Sequence, residues 1–265
     1  MKIECNLYPN RATKAVTMSF DDGKQADVRL AELFKQYGIK GTFHYNSGNI
    51  NKDTYVTDDE VREIGKYHEI SLHGKTHPFL DKMPLALALD EIRQDRLYLE
   101  KLAGKPIRGM SYPYGTFSDE LIAGLRSIGI EYSRTIRNTR SFYIPTDFMK
   151  WDPTCHHSQE LLVLWEKLYN HKKRHMMLFY VWGHSYEFDR DQLWGTMEEF
   201  CKRAGGHENI WYATNIEIMD YLKAVNQLRF SADMTMIYNP SALDVWISAD
   251  EEPVCIHAGE TVCLK

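Results

Sequence analysis

A chain of 265 residues with 43% hydrophobic, 26% charged and 12% aromatic side chains has the composition of one large globular domain, with room for a small appendage. A net charge of −5 argues against nucleic acid or an anionic membrane as the main partner. No apolar run reaches the ~18 residues of a bilayer span, and the five scattered cysteines, with no C-x-x-C pair, indicate a reducing compartment rather than a disulfide framework or a cysteine-rich zinc site. The opening MKIECNLYPN has no apolar h-region, so a cytoplasmic location is expected for the chain as written, although a cleaved leader replaced by a new Met would read the same.

Short apolar runs alternate with helix-period stretches. AVTMSF (15–20) reads as a buried strand and residues 26–38 as a helix stopped by Gly38. Strands follow at 41–46, 69–74, 107–112, 131–135, 175–183 and 210–214, separated by helices at 57–68, 85–104, near 117–127 and 158–172, and at 189–203, with a last helix at 215–226. Short links between such units imply a parallel sheet under helices. Their number points to an α/β fold of the deformed (β/α)7-barrel type over 1–226, with strand C-termini as the functional rim. Residues 227–265 carry period-2 patches and turn signals at Asn239-Pro240 and Ala258-Gly259, and read as a short antiparallel β appendage that covers a barrel end or makes an oligomer contact.

Several of these strand ends carry chemistry. The first places Asp21 and Asp22 side by side before Gly23. Alone, Asp-Gly is a turn; but two adjacent carboxylates repel, and one is hard to ionise unless something compensates. A metal ion would neutralise one and leave the other free to move protons. The third strand leads into LHGKTHP, where His73 and His77 are four apart, a spacing that suits two imidazoles on one metal, and Pro78 favours a turn there over a long helix. His, His and Asp make a good zinc set with a fourth position open for water. SYPYG (111–115) by itself is loop chemistry, and His184 ends the strand FYVWGHS. His44, His156, His157 and His175 read as structural.

Together, SFDDG, HGKTH, SYPYG and VWGHS, in this order over roughly 15–225, resemble the motifs of the NodB-homology polysaccharide deacetylases, carbohydrate esterase family 4. The resemblance implies a metal-dependent hydrolase that removes acetyl groups from an acetylated carbohydrate. Asp22, His73 and His77 would hold Zn2+, or Co2+ or Ni2+ in its place. Asp21 would be the general base, His184 the general acid, and the Tyr114 backbone N–H a donor to the oxyanion. Trp182 would wall the acetyl pocket, Trp151 would match the tryptophan of the fourth motif, and Asp152 would orient His184. Tyr112, Trp151 and Trp182 are further expected to offer aromatic faces to a sugar.

One position departs from the pattern: Ser111 stands where the family has an arginine paired with the base. Without that cation the Asp21 pKa would rise. Another group must therefore hold the base, or the substrate differs from chitin or peptidoglycan. Two other readings stay open on the sequence: an amide hydrolase of the ureide or formamide type, and a carbohydrate-binding barrel without catalysis.

Overall fold

The computed structural model describes residues 1–172 and 175–264. The strands are β1 (Ile3–Glu4), β2 (Lys14–Asp21), β3 (Gly41–Tyr45), β4 (Glu69–Leu72), β5 (Gly109–Ser111), β6 (Tyr132–Arg134), β7 (Cys155–His156), β8 (Met177–His184) and β9 (Ile210–Tyr212). The tail adds β10 (Arg229–Phe230), β11 (Met236–Tyr238), β12 (Val245–Ala249), β13 (Glu252–Ile256) and β14 (Thr261–Cys263). Between them run α1 (Ala26–Gln36), α2 (Asp58–Gly65), α3 (Leu85–Ala103), α4 (Asp119–Ser127), α5 (Leu161–Tyr169), α6 (Tyr186–Arg190), α7 (Trp194–Ala204) and α8 (Asn215–Asn226). Boundaries follow local chemistry. Thr57 and Thr214 each close a capping box with the glutamate three residues on, and Gly104 ends α3 in the left-handed conformation. Among the described residues, no helix is long and apolar enough to cross a membrane.

The parallel sheet runs β6-β5-β4-β3-β2-β8-β7, with β9 beside the first half of β2. It curls into the deformed barrel expected from the alternation. Residues 151–156 bridge its edges: Trp151 exchanges backbone hydrogen bonds with Ser133 and Thr135 at β6, and Cys155–His156 pair with β8. β7 has two residues and α6 only five, too few to produce a periodic signal, and neither is foreseen from sequence.

Strand alternation separates two environments. On β2, Val16, Met18 and Phe20 join the apolar cluster under the helices. Thr17, Ser19 and Asp21 point the other way and bond to Asn215, His44 and Ser111. The barrel interior is therefore polar, and most of its groups are paired, His44 Nδ1 being an exception. Glu69 accepts from Tyr132 Oη (2.6 Å), Thr42 Oγ1 (3.0 Å) and the Ile216 N–H (2.9 Å), while Asn215 bonds to Thr17 and Tyr180. Such pairing is what makes burial of so many polar groups tolerable.

The tail forms two three-stranded antiparallel sheets, β1-β12-β13 and β10-β11-β14. The amino-terminal strand thus pairs with the carboxy-terminal segment, Ile3 opposite Ala249. Ile237, Val245, Ile247 and Ile256 pack with Ile218, Tyr221 and Leu222 of α8 and with Leu178 and Tyr180 of β8 in one apolar cluster.

Gly109 shows how tightly the interior is filled. A Cβ there would lie 1.9 Å from the Tyr132 ring, and that ring is tethered through its hydroxyl to Glu69. Gly109→Ala is expected to cost about 3 kcal/mol by urea denaturation, at the upper end of ordinary overpacking; an unchanged midpoint would contradict this packing.

Candidate active site

β2 delivers Asp21 to the rim in register with His44 on β3 and His184 on β8, so three polar side chains share one row. The next two residues, Asp22 (φ 80°) and Gly23 (φ 71°), are both left-handed. Asp22 accepts that conformation as a short polar residue, whereas a Cβ on Gly23 would press on the Tyr45 ring at 2.9 Å. The reversal gives the adjacent carboxylates different surroundings, although His73 Nε2 lies 3.8 Å from Asp21 Oδ2 and 3.7 Å from Asp22 Oδ1. Asp21 is buried, 2% exposed, inside the barrel, and Asp22 lies half-buried at the mouth.

Arg134, the last residue of β6 and 1% exposed, answers the question raised by Ser111. Its Nη2 bonds to Asp21 Oδ2, and its Nε donates to Ser19 Oγ at 3.2 Å. Ser111 Oγ donates to the other Asp21 oxygen at 3.0 Å. Burial raises the Asp21 carboxyl, but the Arg134 charge, with His73, His44 and His184 behind it, outweighs burial and holds the group well below the usual carboxylate range. A strand across the barrel thus supplies the cation that the third motif lacks. The sequence signal was a charged residue inside EYSRT, on the same face as Tyr132.

The two imidazoles expected to bind metal converge on Asp22. His73 Nε2 and His77 Nε2 lie 3.7 Å and 3.8 Å from Asp22 Oδ1. These separations are too long for hydrogen bonds, yet suit atoms that each approach one ion to about 2.0–2.2 Å. The His73 Nδ1 is 3.0 Å from the Ser111 carbonyl, an acceptor only, so Nδ1 carries the proton and Nε2 presents a lone pair toward carboxylates. Lone pair facing carboxylate is unfavourable unless a cation lies between them. His77, like Asp22, is held at positive φ (59°), local strain that a shared ligand would offset. Asp22, His73 and His77 therefore fit a divalent metal. Asp95 of α3 braces the loop, accepting from the Ser47 and His73 N–H groups; burial pushes its carboxyl up to about 7.

His184 completes the row, with Nε2 3.9 Å from Asp22 Oδ2. Burial lowers its basicity, but Glu187, Asp21 and Asp22 together outweigh burial and raise its pKa above the ordinary 6.5. Trp182, two residues earlier on the same face, has its ring 5.9 Å from the His184 ring and 4.6 Å from the Arg134 guanidinium. The Tyr114 ring lies between His77 (4.4 Å) and Phe79 (3.7 Å), on a backbone at φ 58°.

Three expected site residues lie elsewhere. Tyr112 shares the outward face of β5 with Met110; it is 1% exposed and donates to the Met149 carbonyl, so it belongs to the core and not to a sugar site. Trp151 is equally buried, packed against Tyr132 and Tyr180 one layer beneath Arg134, where no sugar reaches it. Asp152 pairs with Arg137 and Thr135, and the carboxylate facing His184 Nδ1 is that of Glu187, at 3.5 Å. Cys155 takes no part; burial pushes its thiol up to about 12.

Replacing Arg134 by Met should strand a buried carboxylate and cost about 3–5 kcal/mol at neutral pH. A carboxyl depressed in the folded state contributes stability above its unfolded value, ordinarily 3.8, and loses it as pH falls further. The gap between Arg134→Met and the parent should thus be full at neutral pH and narrow below about pH 4. Denaturation curves across pH measure it, and a gap independent of pH would contradict the pairing.

The polysaccharide deacetylase family model matches residues 9–133. A poly-β-1,6-N-acetyl-D-glucosamine N-deacetylase of Staphylococcus epidermidis is 29% identical over 151 residues, 51% of this chain and 51% of that protein. A peptidoglycan-N-acetylglucosamine deacetylase of Bacillus cereus is 26% identical over 136 residues, covering 49% of this chain and 48% of that protein. The chain spans between a quarter and about half the length of these and another such relative. Among solved structures, a putative polysaccharide deacetylase from Mycobacterium smegmatis superposes with a TM-score of 0.62 at 16% identity, over 83% of this chain and 93% of that one. A family 4 pseudoenzyme from Bacillus anthracis gives 0.51 at 15% identity, over 77% and 65% of the two chains. The match to the polysaccharide deacetylase family model thus falls on residues 9–133, the part of the chain that holds the adjacent acidic pair and both converging imidazoles.

Proposed function

We propose that this protein hydrolyses the acetyl group from an N-acetylated sugar or polysaccharide, at a zinc-type site on Asp22, His73 and His77. The observation that carries the reading is the division of labour between neighbours: Asp22 turns to the imidazoles while Asp21 stays ionised against Arg134. A structural turn needs neither a buried guanidinium nor a lone-pair cluster. The substrates in the relatives' names, poly-β-1,6-N-acetyl-D-glucosamine and peptidoglycan N-acetylglucosamine, support an amide of an amino sugar as the target.

When bound, a divalent cation would supply Lewis acidity toward a water and the acyl oxygen. Asp21 takes the proton from the attacking water, a task for which a carboxylate kept ionised is required. Arg134 and Ser111 fix both Asp21 oxygens, so the base does not rotate away from its work. The Tyr114 N–H is assigned to the developing oxyanion, where one such donor is worth about 3–4 kcal/mol. His184 gives a proton to the leaving nitrogen, consistent with its raised pKa. Trp182 walls the space beside His184 and limits the acyl group admitted.

Acetate release from acetylated oligosaccharides should vanish on chelation and return with Zn2+ or Co2+; full activity after rigorous metal removal would refute the reading, and release of ammonia instead of acetate would move it to another amide substrate. Asp21→Asn should lower kcat by about 10²–10⁴-fold with metal content retained, measured by acetate release against metal analysis. Hydrolysis at the parental rate would leave Asp21 without its role.

A further inference from the structure

Behind His184 lies a cluster that the reaction as described leaves unused. β7 and the residue after it bring His156 and His157 to the rim, and α6 brings Glu187. One oxygen, Glu187 Oε2, faces three imidazoles: His157 Nε2 at 2.8 Å, His156 Nε2 at 3.0 Å and His184 Nδ1 at 3.5 Å. The other oxygen, Oε1, is met by Arg190 Nη2 at 3.2 Å. Crowding shows that the arrangement is built. A Cβ on Gly183 would fall 2.0 Å from His157 Cδ2 and 3.2 Å from His156 Nε2, so the glycine before His184 is what admits the pair.

The tautomers separate two uses of such a cluster. The Ser158 N–H donates to His156 Nδ1 at 3.3 Å, so that nitrogen carries a lone pair and Nε2 carries the hydrogen that meets Glu187. A metal would need the reverse, a lone pair on Nε2. The hydrogen-bond lengths of 2.8 Å and 3.0 Å also contrast with the 3.7 Å and 3.8 Å spacings around Asp22. His184 Nδ1 is sealed from solvent, and Glu187 is the carboxylate it faces, at 3.5 Å; catalytic hydrogen bonds are often this long before substrate is bound.

Resting on the hydrolytic reading above, we infer that Glu187 orients His184 as the proton donor and that His156 and His157 are positioning residues that lock Glu187 in place. Glu187 Oε2 accepts the Nδ1–H of His184, which aims Nε2 at the leaving atom. The proton on Nε2 passes to the sugar nitrogen as the C–N bond breaks, and the neutral imidazole keeps its Nδ1–H on Glu187. The carboxylate itself takes no proton. Burial raises the Glu187 carboxyl, but its hydrogen bonds from His156, His157 and His184 outweigh burial and keep it ionised, while burial lowers His157 so that it donates as a neutral ring.

The leaving group supplies the test. An amine must be protonated to depart, whereas 4-nitrophenolate leaves without a proton. With the metal-loaded protein, Glu187→Gln should lower kcat on a β-linked N-acetylglucosamine oligosaccharide at least about tenfold more than on 4-nitrophenyl acetate, with KM within about threefold. His157→Asn should show the same split in weaker form. Parallel loss on both substrates, or no loss, would overturn the inference, as would two metal equivalents per parent chain with one lost in Glu187→Gln. Nitrogen-15 spectra of the histidine rings add a readout apart from activity: His184 protonated at Nδ1 in the parent and losing that preference in Glu187→Gln supports the assignment, and protonation at Nε2 alone in the parent overturns it. A parent that releases no acetate from either substrate defeats the hydrolytic reading, while the spectra still decide which carboxylate orients His184.

Discussion

Two carboxylates joined by one peptide bond must be kept from neutralising each other, and the site is arranged around that requirement. Side by side in a dry pocket, one would hold its proton. Left-handed backbone at Asp22 and Gly23 turns the chain so that Asp21 is buried and Asp22 lies at the mouth, with His73 Nε2 3.8 Å from the first and 3.7 Å from the second. Asp21 reaches inward to Arg134, and Asp22 faces two imidazoles whose geometry fits a cation. Arg134 is the largest of the charges that hold the buried Asp21 carboxyl down, so the arrangement rests on that pairing.

The barrel interior makes this affordable in folding terms. Arg134 is fully buried, which costs several kcal/mol unless its donors are met. Asp21, Ser19 and the Thr135 carbonyl meet them. Below that layer, Tyr132, Glu69, Thr42 and Asn215 continue the pairing down to Thr17 and Tyr180. Trp151 seals the space between Tyr132 and Tyr180. The rim chemistry is thus the top layer of a network that also holds the strands in register. Disturbing Arg134 is expected to be felt in stability as well as in activity.

Much of this was legible in the sequence, and the failures have physical causes. Alternation of apolar runs with helical period located the long elements, since β2 and β8 are eight residues each and α3 nineteen. The acidic pair and the two histidines stood out because their spacing is local. Arg134 was missed because its partner is 113 residues away, although period 2 within Tyr132–Arg134 placed it on the inner face. The same rule, applied to Met110 and Tyr112, would have sent Tyr112 into the core. Glu187 and the histidine pair escaped because β7 and α6 are too short to give a pattern, and the resemblance pointed to Asp152, which the structure pairs with Arg137 and Thr135.

The central claim is that Asp22, and not Asp21, joins the imidazoles around a cation. Zinc K-edge absorption fine structure of the metal-loaded protein, compared with Asp22→Asn and Asp21→Asn, tests it most directly. The account predicts two imidazoles and carboxylate oxygen at about 2.0–2.2 Å in the parent, a shell weakened by Asp22→Asn and preserved in Asp21→Asn. A shell that survives loss of the Asp22 carboxylate and collapses with that of Asp21, or one containing sulfur, would contradict it.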